Sequence, residues 1–114
     1  MNQSERRHFL IRSLLDEGPD GQRQVIPTDP ARQKILLRGL MNVRSPRPVA
    51  ADFLQVQDEY LRCEIAAKGV TDIADLTSVR PGLYLWQGDI TTLKCDAIVN
   101  AANSGMTGCY VPNH

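Results

Sequence analysis

Gly88-Asp89-Ile90-Thr91, followed by Ile98-Val99-Asn100-Ala101-Ala102-Asn103 and then by Cys109 and His114, is the stretch that decides how this chain is read. It joins a glycine and a carboxylate, two asparagines behind an apolar run, and a thiol with an imidazole. It lies at the end of 114 residues, and the sequence stops at His114 with no turn or terminal element to finish it. The expectation is a chain that carries only the first part of the site these residues build.

Each piece has two readings. A glycine placed directly after a strand lets backbone approach a ligand closely. The carboxylate of Asp89 can accept hydrogen bonds from an amine or a ribose hydroxyl, at the strand end where open α/β sheets bind ligands. The alternative is a turn in which Asp89 caps the next segment. Asn100 and Asn103 flank two alanines. A neutral amide offers donor and acceptor together and suits a sugar hydroxyl; equally, both can close their loop on backbone groups. Cys109 and His114 supply a thiolate and an imidazole five positions apart. That pair can join a zinc site, but catalytic zinc takes about three protein ligands, so two are too few. Taken alone, the pair also reads as a free cysteine and a surface histidine.

Working back from this stretch, Leu83-Tyr84-Leu85-Trp86-Gln87 and Ala97-Ile98-Val99-Asn100 read as short apolar strands covered on both faces. Arg80-Pro81-Gly82 is a break, and Asp72 to Leu76 is ambiguous. The first seventy residues read as helical. A helix over 4–17 is capped by Ser4, carries Glu5 in its first turn, and shows Phe9, Leu10, Leu14 and Leu15 on one face. Gly18-Pro19-Asp20-Gly21 ends it. A second helix opens at Asp29-Pro30, a capping carboxylate before a proline suited to the first position, with Ile35, Leu36, Leu40 and Met41 inward. A third runs from about Pro48 to Lys68, with Phe53, Leu54, Tyr60, Leu61 and Ile65 inward and Gly69 as its stop.

Composition excludes more than it selects. The net charge is zero, which gives no broad attraction to nucleic acid or to an anionic membrane surface. With 5% aromatic residues, a base-stacking platform is disfavoured. No apolar run approaches the roughly 20 residues that cross a bilayer, and the N-terminus lacks a secretory core, so the cytoplasm is the default expectation. Three widely spaced cysteines make no disulfide framework. Cys63 and Cys95 are expected as core thiols and His8 as a surface residue.

Together the motifs are far more specific than any one of them. Leu85-Trp86-Gln87-Gly88-Asp89-Ile90-Thr91 with Asp96 to Asn103 resembles the opening of a macrodomain, the ADP-ribose-binding fold. Ser104-Gly105-Met106-Thr107-Gly108-Cys109-Tyr110-Val111-Pro112-Asn113-His114 resembles its zinc-dependent branch, which hydrolyses protein-linked ADP-ribose. The resemblance covers about residues 83–114. It implies an α/β architecture: a helical N-terminal extension over 1–80, then over 81–114 the first strands of a truncated macrodomain-type α/β/α sandwich.

The resemblance also implies roles. Asp89 would accept from the adenine amino group and the Ile90 N–H would bond the ring. Asn103 would hold the distal ribose as the catalytic residue, with Asn100 bracing the loop. Cys109 and His114 would hold zinc, with a further ligand beyond His114. The partners would be ADP-ribose and an ADP-ribosylated protein. Two other classes stay open: a reader that binds ADP-ribose without cleaving it, and a non-enzymatic helical interaction module.

Overall fold

A computed structural model of the chain describes residues 1–19, 23–107 and 111–112. The chain is a mixture of helix and small sheets, in two compact units: Met1–Tyr60 with the described residues from Ala101 onward, and Leu61–Asn100.

The first unit is built on α1 (Gln3–Asp16), α2 (Pro30–Val43) and the opening turns of α3 (Ala51–Lys68). α1 starts one residue earlier than its spacing suggests, and Asn2, not Ser4, caps it. The Asn2 Oδ1 accepts from the Glu5 N–H at 2.9 Å, and Glu5 Oε2 accepts from the Asn2 N–H at 2.7 Å. This reciprocal box satisfies two of the free donors at the helix start. α2 begins as its sequence indicates, with Asp29 accepting from the Arg32 N–H at 2.8 Å ahead of Pro30.

Leu10 and Ile11 are fully buried, and Leu14, Leu15, Ile26, Leu37, Phe53 and Tyr60 complete the core around them. Two expected faces are corrected. In α2 the buried stripe is Gln33 and Leu37, flanked by Leu40 and Met41, while Ile35 is 66% exposed. Ile35 lies two residues from both stripe positions, about 200° around the helix, and so faces away. In α3 the inward line is Phe53, Val56 and Tyr60; Leu54 and Leu61, seven residues apart, share an edge of the helix and stay exposed.

Polar contacts finish this unit. The buried Arg7 donates its Nε–H to Gln33 Oε1 at 2.9 Å, and Gln33 Nε2 donates to the Pro27 carbonyl at 2.6 Å. Arg44, at the end of α2, grips Glu17, at the end of α1, through three N–H···O bonds of 2.9–3.1 Å.

The second unit continues α3 to Lys68, where Gly69 at φ +86° stops it as expected. β1 (Thr71–Asp72) pairs in parallel with β4 (Leu93–Lys94), Thr71 opposite Leu93 and Asp72 opposite Lys94. β2 (Ser78–Arg80) and β3 (Leu83–Tyr84) form an antiparallel hairpin around Pro81 and Gly82, the latter at φ +74°. A one-turn 3-10 helix over Ile73–Asp75 follows β1, and another over Ile90–Thr92 precedes β4.

The expected strands are therefore corrected. Strand structure over 83–87 is confined to Leu83–Tyr84, 97–100 is not a strand, and β1, β2 and β4 were not anticipated. An apolar run becomes a strand only when another segment completes its hydrogen-bond ladder. Among the described residues, 85–87 and 97–100 meet none: Leu85 is 83% and Val99 95% exposed. Nor are the cysteines core thiols, since Cys63 is exposed on α3 and Cys95 only partly buried after β4. His8 is exposed on α1, as expected.

Candidate functional site

Asp89 is the best-organised polar residue of the second unit. It precedes the turn Ile90–Thr92 in extended conformation and caps it. Its Oδ1 accepts from the Thr91 N–H at 3.0 Å and from the Thr91 hydroxyl at 2.6 Å. Its Oδ2 accepts from Lys68 Nζ at 2.7 Å. Its carbonyl accepts from the N–H and hydroxyl of Thr92, the buried residue of this turn. The Lys68 ammonium, then the two Thr91 donors, hold the Asp89 carboxyl far below the usual carboxylate range.

A carboxylate offers about four lone-pair positions. Three on Asp89 are filled, so one remains, on Oδ2. The capping reading and the ligand reading are thus compatible in one side chain. As the first residue of the turn, Ile90 has an N–H with no intrahelical acceptor.

Gly88 has its own reason to be glycine. Its φ is not left-handed; the constraint is Trp86, whose indole lies so close that a Cβ on Gly88 would overlap Cζ2 and Cη2 of the ring.

Asp72 repeats the design. It caps Ile73–Asp75, accepts from the Ala74 N–H at 2.9 Å, and pairs with Lys94 Nζ at 2.8 Å. Sequence reading missed both lysines. The recurrence of Asp-Ile at 72–73 and 89–90 was the available signal for matched capped turns, but no local pattern names the lysine that each would meet.

In the first unit, Asn103 closes its loop. Its Nδ2 donates to the Thr107 carbonyl at 2.7 Å, its Oδ1 accepts from the Thr107 N–H at 3.2 Å, and its own carbonyl accepts from the Met106 N–H at 2.9 Å. Asn103 thus closes its loop on backbone groups, one of the two readings open for the asparagines. Met106 adopts φ +52°, a left-handed conformation uncommon for a side chain of this kind. The amide of Asn103 keeps one N–H and one lone pair unused by Thr107, and the residue is exposed.

Cys109 and His114 lie outside the described residues. Among those described, no three His, Cys, Asp or Glu side chains gather to hold a metal, and no helix is long and apolar enough to cross a membrane.

No family model matches the chain. Among curated proteins it is 55% identical over 118 aligned positions, all of its length, to a protein-ADP-ribose hydrolase of Treponema medium, covering 45% of that protein. It is 44% identical over 110 positions to a protein-ADP-ribose hydrolase of Staphylococcus aureus strain MRSA252, with 96% of this chain and 41% of that one covered. A probable bifunctional ADP-ribose hydrolase/ADP-ribosyltransferase of Fusarium oxysporum f. sp. cubense matches at 40% over 90 positions, 69% of this chain and 15% of that protein. The chain spans less than half the length of these relatives, and along that span it is similar to proteins that carry the name of ADP-ribose hydrolases.

Proposed function

We propose that this chain takes part in removing ADP-ribose from modified proteins, as the ADP-ribose-binding opening of a zinc-dependent macrodomain hydrolase. The observation that carries this reading is the 55% identity to the Treponema medium hydrolase, which extends over the whole chain.

The residues divide the work. The Oδ2 of Asp89 has one acceptor position left, which matches a single N–H of an adenine amino group. The same position repels a base with a carbonyl in place of that amino group. The Ile90 N–H bonds the ring. Gly88, lacking a Cβ, lets the Trp86 indole lie against the backbone just ahead of Asp89. Asn103, already held by Thr107, presents its remaining N–H and lone pair to the hydroxyls of the distal ribose. Fixing the sugar limits the orientations lost on reaching the transition state. In the overall reaction the bond from C1″ to the protein acceptor breaks, water supplies the hydroxyl to C1″, and the acceptor regains a proton.

Cys109 and His114 are a soft thiolate and an imidazole, a donor set suited to zinc, and they supply two of about three protein ligands such a site needs. Bound there, zinc would act as a Lewis acid toward ribose hydroxyls or water.

A chimera tests the reading. These 114 residues replace the matched region of the Treponema medium hydrolase, and release of ADP-ribose from a modified protein is followed. The expected result is turnover that Cys109→Ala abolishes together with bound metal, and that Asp89→Ala weakens through affinity for ADP-ribose. A folded chimera that binds ADP-ribose without releasing it would favour the reader. Undiminished turnover by a metal-free Cys109→Ala chimera would overturn the zinc role.

A further inference from the structure

We propose that Lys68 is a positioning residue for Asp89: its ammonium holds the carboxylate turned so that one lone pair of Oδ2 stays available to an N–H donor of the ligand. This rests on the reading of Asp89 as the adenine-facing acceptor.

The geometry carries it. Lys68 is the last residue of α3, and Gly69 ends the helix immediately after it. A helix C-terminus is where an ammonium is favoured by the backbone dipole. From there Nζ reaches Oδ2 at 2.7 Å while the Thr91 N–H and hydroxyl saturate Oδ1. The two sets of donors sit on opposite oxygens, so Lys68 adds to the hold of Thr91 a second restraint on rotation of the carboxylate about the Cβ–Cγ bond.

As a contribution to folding the pair is weak. Its side chains are 54% and 43% exposed, and exposed pairs of this kind contribute little to stability. What it supplies is orientation. The matched pair of Lys94 and Asp72 makes the contrast. There the capped turn has Ala74 where the other has Thr91, so no hydroxyl joins the N–H on Oδ1, and that carboxylate is less completely constrained. Lys94 and Asp72 thus serve as an internal control with the same charges.

The experiment has two arms. In the first, the carboxyl carbon of Asp89 is titrated by NMR in the chain and in Lys68→Met. Its midpoint should move up toward the ordinary carboxylate range in Lys68→Met and return in Lys68→Arg. In the second, ADP-ribose affinity is measured by calorimetry on the chimera across pH. Lys68→Met should weaken binding about two- to fivefold, the effect of an exposed ion pair expressed as an affinity ratio. It should also raise the pH below which affinity falls; Lys68→Arg should restore both, and Lys94→Met should change neither. An Asp89 titration indifferent to Lys68 overturns the proposal. So does unchanged affinity in Lys68→Met while Asp89→Ala loses binding, a result that leaves the adenine reading intact. If Asp89→Ala also binds like the wild type, or the wild-type chimera does not bind, the adenine reading and the role of Lys68 fall together.

Discussion

The two units of this chain are held by different means. Met1–Tyr60 holds a set of large apolar side chains packed on one another, with Leu10 and Ile11 wholly removed from water. In Leu61–Asn100 the apolar residues face outward: Val79, Leu83, Leu85 and Val99 are 58%, 56%, 83% and 95% exposed. There the order comes from capped turns, two short ladders and two Asp–Lys pairs. Burial of apolar area is the larger stabilising term, so the helical unit should answer to core substitutions and the second unit to polar ones.

The contrast breaks most easily at Leu10. Leu10→Ala should destabilise the helical unit by about 2–5 kcal/mol, because it removes buried methyl groups and leaves a cavity. Urea unfolding followed by circular dichroism reads this directly. Leu85→Ala, at an exposed position, should stay within about 0.5 kcal/mol. Equal effects would mean that the second unit has a core of its own.

The next effect is polar and lies in the helical unit. Gln33→Leu should cost about 1–3 kcal/mol, since it strands the buried Nε–H of Arg7 and the Pro27 carbonyl together. Asn2→Ala removes the side-chain half of the cap on α1 and should cost about 1 kcal/mol. Amide exchange should then rise first at the start of α1, with the remaining helices unaffected.

The same contrast explains what the sequence reveals. Helices declare themselves locally: the Asp29-Pro30 start, the three-to-four spacing of Leu10, Leu14 and Leu15, and Gly69 as a stop are each read within a few residues. Even there the exact face was misread at Ile35, where hydrophobicity alone competed with position around the helix. Strands depend on a partner that can lie far along the chain. Nothing near Thr71 announces that it pairs with Leu93, and nothing in Leu85 or Val99 announces that no ladder reaches them. The candidate site divides in the same way. Asp89 and Asn103 stand out as candidates in the sequence because glycine, carboxylate and amide follow apolar runs, whereas Lys68, separated from Asp89 by a helix end and a hairpin, does not.

Gly88 tests the second unit at its most crowded point. In Gly88→Ala the new methyl group must displace the indole of Trp86. Trp86 is the single tryptophan of the chain, so its emission reports the shift without interference. A changed emission maximum with unchanged helical circular dichroism is the expected result. Unaltered fluorescence would mean that the indole does not rest against Gly88.

The smallest effect is electrostatic, and its sign follows from the directions of two shifts. Lys94 and the Ala74 N–H hold the carboxyl of Asp72 below its ordinary value of 3.8, and Asp72 holds the Lys94 ammonium above its ordinary 10.5. A carboxyl whose folded value is depressed contributes stability above its unfolded value and loses it as pH falls through the folded one. An ammonium whose folded value is raised contributes fully below its unfolded value and loses it as pH rises through the folded one. The β1–β4 ladder should therefore be steadiest between about pH 4 and pH 10, loosening in acid below 3.8 and in alkali above 10.5. Both groups are exposed and screened by salt, so the loosening should be local. NMR should show the Thr71 and Leu93 amides broadening in acid while those of Leu10 and Ile11 persist. Lys94→Met should remove the alkaline limb and diminish the acid one. If instead the Leu10 amide fails at the same pH as Thr71, acid unfolds the two units together, and the separation between a core-held and a pair-held region does not survive.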